Sequence, residues 1–380
     1  MTLFLLTFFL LYGGIHLYVF LKAKAAFAFS ARTGVAAALV MAVMLFAPVI
    51  VRQLEKSGHE TFAQIMSYIG YIWLGVIFLF ISLSLALDFY RLLGYLISGF
   101  FSKPLRIFEV TPQYAFFIPL AASLVIAFYG YFEARDIRTE NIVVKSTKIP
   151  SKIQRLRIVL ISDVHLGLIV REQRLRNILE KVKTADPDIL VSTGDLVDGQ
   201  IDSMSELSAL LSKVSPRYGK FAIFGNHEYY AGIDQSTRFT ENAGFRILRG
   251  QGYEVQGLVN IVGVDDPQGK AFGAYKGGNE GELLSEFPAD KFTVLLKHRP
   301  FVAKDSIGRF DLQLSGHVHK GQIFPFSIIT GLYYPIQAGF ANLGGNSSLY
   351  VSRGSGTWGP PIRFLSPPEV TVIDLVHKNE

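Results

Sequence analysis

The stretch Ile161-Ser-Asp-Val-His-Leu-Gly167 decides the fold of this chain. An apolar run, residues 158–161, leads directly into Asp163 and His165. This pattern predicts a buried strand that ends in a carboxylate and an imidazole. Open α/β sheets place their chemistry beyond the carboxyl ends of the strands, and Asp together with His suits a divalent metal ion. An Asp-x-His pair alone is a weak motif, so its meaning depends on the rest of the chain.

Four further stretches have the same form, in which an apolar run is followed by a polar cluster. They are Gly194-Asp195-Leu-Val-Asp198, Gly225-Asn226-His227-Glu228, Lys297-His298 and Gly316-His317-Val-His319. Glycine opens three of these clusters, which lets the backbone turn sharply and present the side chains that follow. Five such clusters in this order are far more specific than any one of them.

Strand and helix patterns alternate from Arg157 onward, which is typical of an α/β layered domain. Helical patterns cover 171–183 and 204–214, and later the helices become sparse. The runs that read as strands are 188–191, 221–224, 246–248, 253–255, 259–264, 292–296 and 311–314.

The five clusters resemble the motifs of the calcineurin-like metallophosphoesterase superfamily, over about residues 155–376. The resemblance implies two packed mixed β-sheets flanked by helices. The ending Leu349-Tyr-Val-Ser-Arg-Gly354, followed by Pro361-Ile-Arg-Phe364, is similar to that of membrane-associated members. One position departs from many relatives, because Lys320 stands where they have glycine and adds a positive charge beside the expected site.

The resemblance also implies two divalent metal ions (Mn, Zn, Fe or Mg) that activate a water molecule for attack on phosphorus. Asp195 would bridge the two ions, and His227 would stabilise the transition state or protonate the leaving group. The other ligands carried over by motif are Asp163, His165 and His319 for one ion, and Asn226, His298 and His317 for the other.

Four more residues are candidates for supporting roles near the site. Asp198 is expected to orient a ligand. Glu228 is either a partner of the ligand residues or a charge at a helix N-terminus. Arg299 either contacts a phosphate or is an exposed neighbour, and Lys320 could hold a substrate phosphate.

The composition limits the class of protein and its partners. The chain has 380 residues, a net charge of +6 and no cysteine, which excludes disulfides and thiolate metal sites. A basic balance suits phosphorylated substrates, anionic lipid or nucleic acid. Because Lys and Arg do not form a run interleaved with aromatic residues, nucleic acid is not expected as a partner.

The first third of the chain predicts an integral, multi-pass membrane protein. Four runs without Asp, Glu, Lys or Arg have about the length needed to span a hydrocarbon core of ~30 Å. They are 1–21, 33–51, 61–87 and 110–132. The alternative for the first run is a cleaved signal peptide, but no basic segment precedes it. We expect a transmembrane domain over 1–132, a linker over 133–155 and the metallophosphoesterase domain over 156–380.

Basic residues in the loops favour one orientation only slightly. The loops after the first and third predicted helices carry more Lys and Arg than the loop between them, so they are placed in the cytoplasm. The catalytic domain would then be extracytoplasmic. However, Arg135, Arg138, Lys145 and Lys148 closely follow the fourth run, and counting them makes the two sides nearly equal.

The segment 323–336, directly after the last cluster, is unusually apolar. It is either a patch that dips into lipid or receives an acyl chain, or a hairpin in the domain core. The first alternative suits a lipid or a nucleotide-linked lipid as substrate. The function predicted is a membrane-bound phosphoesterase for phosphoester or pyrophosphate bonds. The alternative is a membrane receptor or scaffold with a non-catalytic domain, in which degenerate ligand positions would be the expected signature.

Overall fold

The computed structural model describes residues 2–101, 109–199 and 204–378. The chain divides into two compact units. The first contains the described residues up to Phe132 together with Gly359–Phe364, and the second contains the described residues of Glu133–Trp358 and those from Leu365 onward. The C-terminal part of the chain therefore contributes a short segment to the N-terminal unit.

The helices of the first unit agree with the predicted membrane region. Helices α1 (Thr2–Phe27), α4 (Glu60–Phe101) and α5 (Pro112–Glu133) are long and apolar enough to cross a membrane. Helices α2 (Ala31–Leu45) and α3 (Ala47–Lys56) meet at a bend of 53° and supply a fourth span if they are counted as one. The described residues thus provide three or four spans. Pro48 in the first turn of α3 accounts for the break, since proline cannot donate to the preceding turn.

The segment Gly359–Phe364 packs against two helices within the first unit. The Arg363 N–H donates to the Gly130 carbonyl of α5 at 2.9 Å. A Cβ atom placed on Gly75 of α4 would lie 2.7 Å from Cδ1 of Ile362. These glycines let the returning segment approach the helix backbones closely, as small residues do at helix contacts in membranes.

The second unit contains two six-stranded sheets. The first has the order β1-β12-β2-β3-β4-β5, in which β12 runs antiparallel to β2 and the other neighbours pair parallel. Its strands are β1 (Arg138–Ser146), β2 (Leu156–Ile161), β3 (Ile189–Ser192), β4 (Lys220–Ala222), β5 (Arg246–Ile247) and β12 (Glu369–His377).

The second sheet has the order β10-β11-β9-β8-β7-β6 and is also mixed. Its strands are β6 (Gln251–Val255), β7 (Val259–Gly263), β8 (Phe292–Leu296), β9 (Leu312–Ser315), β10 (Gly339–Gly344) and β11 (Ser347–Val351). The helices of this unit are α6 (Glu172–Ala185), α7 (Ser205–Ser212), α8 (Asn226–Ala231), α9 (Ile233–Asn242), α10 (Glu280–Ser285) and α11 (Phe326–Tyr333).

The alternation of side chains along β2 shows how the layers pack. Ile158 and Leu160 belong to a buried cluster shared by the two sheets. Val159 and Ile161 point to the other face, where they join a cluster formed with α6, α7 and α9. Both faces of β2 are therefore covered, which explains why its sequence is a continuous apolar run. The predicted architecture of two mixed sheets flanked by helices is confirmed.

The segment 133–155 differs from the linker that the sequence predicts. It contains β1, whose nine residues pair in parallel with β12. Alternate residues of β1 are exposed, while Ile142 and Val144 pack against the buried cluster between the sheets. An edge strand with one polar face has a mixed composition, and in the sequence this composition resembles a linker.

Candidate metal centre

Seven side chains predicted as metal ligands converge beyond the carboxyl ends of β2, β3, β4, β8 and β9. His317 is half-buried and the other six are buried. They are Asp163, His165, Asp195, Asn226, His298, His317 and His319. The convergence follows from topology, because the three strands of the first sheet are parallel neighbours and β8 pairs in parallel with β9.

The side chains form two groups, each able to hold a metal ion. In the first, Nε2 of His165 lies 3.1 Å from Nε2 of His319, which is 3.5 Å from Oδ1 of Asp163. Three similar contacts form the second group around Nε2 of His298. Its distances are 3.2 Å to Oδ2 of Asp195, 3.1 Å to Nδ1 of His317 and 3.2 Å to Oδ1 of Asn226.

Asp195 lies between the two groups. Its Oδ2 atom is 3.9 Å from Nε2 of His165 and 3.2 Å from Nε2 of His298. A single carboxylate oxygen therefore reaches a ring nitrogen of each group. His227 also lies close enough to His165 and Asp195 to form a third combination able to hold a metal.

The donor set fits divalent cations. Pairs of imidazole nitrogens face each other at 3.1 Å, an approach that a shared cation stabilises by accepting both lone pairs. The Nδ1 atom of His298 faces the Thr193 carbonyl at 2.8 Å. Donation from Nδ1 to a carbonyl leaves Nε2 as the ligand atom, which is the usual orientation of metal-binding histidines. Nitrogen and carboxylate ligands of this kind suit Zn, Fe and Mn better than an all-oxygen site would.

The electrostatics of the cluster also favour a cation. Burial lowers the pKa of His165 to about 4, so its ring is neutral and available as a ligand at neutral pH. Burial alone would raise the pKa of Asp195, but His298 and His227 outweigh it and hold the pKa well below its usual range. Burial would likewise lower the pKa of His298, yet Asp195 and Asp163 raise it to about 10. The buried carboxylates thus create a negative potential in which a cation is stabilised.

Five of the seven residues have positive φ angles. These angles lie in the left-handed region of backbone conformation, which is unfavourable for residues other than glycine. This conformation costs roughly 1–2 kcal/mol per residue. The five residues are Asp163 (50°), His165 (54°), Asp195 (51°), His317 (71°) and His319 (47°). Strain concentrated in this way is typical of functional sites.

Two glycines allow the loops to approach each other closely. A Cβ atom on Gly225 would lie 2.2 Å from Oδ1 of Asp195, and one on Gly316 would lie 2.1 Å from Oδ2 of Asp163. Both distances are far inside van der Waals contact. The glycines that open the two motifs are therefore required by packing around the carboxylates.

Comparison with known proteins agrees with this geometry. The family model described as Calcineurin-like phosphoesterase matches residues 156–321, a range that contains all seven side chains. An uncharacterised metallophosphoesterase of Aquifex aeolicus is 38% identical over 67% of this chain and 98% of its own length. The chain belongs to the calcineurin-like phosphoesterase family.

Two further relatives extend beyond the family domain. An uncharacterised metallophosphoesterase of Campylobacter jejuni is 31% identical over 78% of this chain and 78% of its own length. A transmembrane protein with metallophosphoesterase domain from Danio rerio is 30% identical over 68% of this chain and 62% of its own length. Similar proteins thus include one that is named as a membrane protein.

Glu228 organises the loop that carries Asp195 in this calcineurin-like phosphoesterase. Its buried carboxylate accepts backbone N–H groups from Asp195 (3.0 Å), Leu196 (2.7 Å), Val197 (3.3 Å) and Gly225 (2.8 Å). Burial and then Asp195 raise its pKa to about 7. Because all four partners are donors, the ionised carboxylate is the form that matches them. Glu228 also lies in the first turn of α8.

Asp198 contacts His227 directly. Its Oδ1 atom lies 2.8 Å from Nδ1 of His227, which leaves Nε2 of that ring facing away from the carboxylate. Burial alone would lower the pKa of His227, but Asp195 and Asp198 raise it to about 9. The sequence predicts that Asp198 orients a ligand, whereas the structure places it on the predicted catalytic histidine.

Arg299 and Lys320 differ in how firmly they are held. The guanidinium of Arg299 forms two hydrogen bonds to buried Asp266, at 2.7 and 2.9 Å. It is thus fixed by a salt bridge rather than being an exposed neighbour. Lys320 is exposed and belongs to the short turn His319–Gly321 with a positive φ of 50°. It is the residue that follows His319, a member of the first ligand group.

Aromatic rings border the cluster, and the sequence motifs do not indicate them. The ring centroids of Tyr230 and Trp358 lie 5.3 and 5.9 Å from that of His227, and Tyr334 lies 5.6 Å from His317. Tyr230 stands three residues after His227 on α8, so helical spacing could have indicated it. Trp358 is distant in sequence, and no local pattern links it to the site.

Proposed function

We propose that this protein is a membrane-bound, metal-dependent phosphoesterase that hydrolyses phosphoester or pyrophosphate bonds with two divalent metal ions (Mn, Zn, Fe or Mg). The observation that carries the proposal is the convergence of the other six ligand-type side chains around Asp195. Asp163, His165 and His319 would hold one ion with Asp195, and Asn226, His298 and His317 the other. When bound, such ions lower the pKa of a water molecule towards neutrality and neutralise charge on phosphoryl oxygens.

The residues of the chain supply the remaining chemistry. His227 would carry the proton for the leaving oxygen, because its raised pKa keeps the ring protonated at neutral pH. Asp198 would hold that ring in position through its 2.8 Å contact with Nδ1. Lys320 is the exposed cation that would attract the substrate phosphate. The Arg299 guanidinium is hydrogen-bonded to Asp266, so it would act on the substrate mainly through the electrostatic attraction of its positive charge.

The test is metal-dependent hydrolysis by the full chain in detergent or nanodiscs. After chelation, Mn²⁺, Zn²⁺, Mg²⁺ or Fe²⁺ should restore turnover of aryl phosphate mono- and diesters. Asp195→Asn should lower the rate by more than about 100-fold and reduce bound metal. Asp234→Asn, which changes an exposed carboxylate on α9, serves as the control and should leave both unchanged. Absence of metal-dependent turnover on every ester, together with sub-stoichiometric metal, would favour the receptor alternative.

We further propose an amphiphilic substrate, such as a lipid phosphate or a nucleotide-linked lipid, taken from the membrane surface. Support comes from α11, which directly follows the turn bearing His319 and exposes several large apolar side chains. Lys320 would hold the phosphate while an acyl chain contacts α11. Phosphorylated substrate and bilayer are thus the two partners of the protein.

Comparison of a lipid-type ester with a short-chain analogue tests the substrate class. Catalytic efficiency on the lipid-type ester should be higher, and replacing Phe324, Phe326, Ile328 and Ile329 by Ser should remove the difference. The rate on the soluble analogue should stay constant, which separates loss of lipid recognition from loss of activity. Equal efficiency on both esters, before and after substitution, would refute the lipid substrate while leaving hydrolysis itself intact.

A further inference from the structure

Helix α11 has the inverse of the usual arrangement of a surface helix. All eight of its residues are exposed or half-buried. The large apolar residues are the exposed ones: Ile328 (61%), Ile329 (57%), Leu332 (85%) and Tyr333 (65%). The smaller Ser327, Thr330 and Gly331 are half-buried instead. A helix that faces water normally buries its apolar stripe and exposes the polar one.

The surroundings of α11 in the chain are equally apolar. Residues 321–352 contain no charged side chain. Phe324 and Phe326, at the start of the helix, are each 41% exposed. We call Phe324, Phe326, Ile328, Ile329, Leu332 and Tyr333 the α11 patch. Contiguous exposed apolar surface of this kind marks an interaction site.

We propose that the α11 patch inserts into the interfacial region of the lipid bilayer and holds the metal centre at the level of the headgroups. The inference concerns lipid contact and does not depend on the proposed hydrolysis. An in-plane element needs an exposed apolar face a few ångströms deep and an anchor that keeps it at the membrane.

The path of the chain identifies lipid as the occupant. Gln322, just before α11, receives a hydrogen bond on Oε1 from the Trp358 N–H at 2.9 Å and donates from Nε2 to the Trp358 carbonyl at 2.8 Å. The next residues, Gly359–Phe364, belong to the unit of membrane-spanning helices. Trp358 and Leu365, on either side of that segment, are themselves 54% and 55% exposed. Gln322, just before α11, is therefore hydrogen-bonded to the residue after which the chain enters the unit of apolar helices. That residue is a tryptophan, which is typical of the lipid–water interface.

The other end of α11 reaches the metal centre. The ring of Tyr334, the residue after the helix, packs 5.6 Å from His317 and 4.8 Å from Phe301. The helix thus begins after His319 and ends beside His317. Insertion of the patch would present the cluster to phosphate groups at the membrane surface.

The absence of cysteine in the chain allows single-site labelling of the intact protein. Leu332→Cys and, separately, Ile328→Cys would each be labelled with the fluorophore NBD and reconstituted into phosphatidylcholine–phosphatidylglycerol nanodiscs at one copy per disc. Lys213→Cys is the control. Lys213 is exposed at the end of α7, a helix that packs on the first sheet, whereas α11 follows a strand of the second. Both substituted apolar side chains are exposed, so the fold should tolerate their loss.

Insertion predicts that doxyl-labelled lipid quenches NBD at Leu332 and Ile328 several-fold more than at Lys213, with a blue-shifted emission. Aqueous iodide should show the opposite order. Equal iodide quenching at all three positions would overturn the proposal. Protection from both quenchers would also overturn it, because the patch would then be covered by protein, such as a second copy of the chain.

Discussion

Replacing Glu228 by Gln should destabilise the catalytic unit and loosen its metal centre. Each carboxylate oxygen accepts two backbone N–H groups: Oε2 from Asp195 and Gly225, and Oε1 from Leu196 and Val197. In Gln one of these oxygens becomes an NH₂ group, so two buried N–H donors lose their acceptor. An unsatisfied buried donor costs about 1–3 kcal/mol, which gives a loss of about 2–6 kcal/mol. For a unit of this size, each kcal/mol lowers the Tm by about 2–4 °C.

Thermal unfolding of the full chain in nanodiscs, followed by tryptophan fluorescence with and without Mn²⁺, measures this effect. We expect Tm to fall by roughly 5–20 °C and the Kd for Mn²⁺ to rise about 10–100-fold, because the Asp195 loop is no longer fixed. Glu172→Gln removes an exposed carboxylate paired with Arg176 on α6 and should change stability by less than about 1 kcal/mol. A Tm and a Kd for Glu228→Gln that match those of Glu172→Gln would refute the reasoning.

Three other predictions test the electrostatics and the topology. Asp198→Asn should lower turnover by about 10-fold or more. It should also lower the pKa of His227, which is about 9 in spite of burial, and so move the alkaline limb of the rate–pH profile to lower pH. An alkaline limb that does not move would argue against the pairing of Asp198 with His227. Burial lowers the pKa of Lys220 to about 8, so between that pH and the unfolded pKa of about 10.4 the unfolded chain binds more protons than the folded one. Over this range the free energy of unfolding should rise by up to about 3 kcal/mol relative to that of Lys220→Met. A pH-independent difference in unfolding free energy between the two proteins would contradict this. Lys213→Cys should react with a membrane-impermeant maleimide in intact cells if the catalytic unit is extracytoplasmic, and labelling only after lysis would reverse the orientation.

The residues of the candidate site could be predicted largely because they lie in short local motifs. Each ligand-type residue directly follows an apolar run that forms a strand, so local sequence places it at the end of that strand. For β8 the predicted bounds, 292–296, match the structure. The resemblance then indicates that the strands are neighbours, which local patterns cannot show. The individual ligand roles stay predictions until metal binding is measured.

The contacts around the site could not be predicted because they join residues distant in sequence. Arg299 is bound by Asp266, and an Asp before proline also suits a simple turn. Strand β1 reads as a linker because its partner, β12, lies at the opposite end of the domain. Nothing in either segment alone indicates the pairing.

The sequence of α11 shows that hydropathy alone does not separate a core segment from a membrane-facing one. Both consist of large apolar residues, so the sequence allows either a hairpin in the domain core or a lipid-facing patch. The structure argues against the core hairpin, because the segment forms a helix on which Thr330 hydrogen-bonds Gln337 at 2.5 Å on the half-buried side, while Leu332 is 85% exposed. Burying the polar side and exposing the apolar side is unfavourable in water. The arrangement is favourable where the outer solvent is itself apolar, which is the physical basis for proposing that the α11 patch inserts into the bilayer.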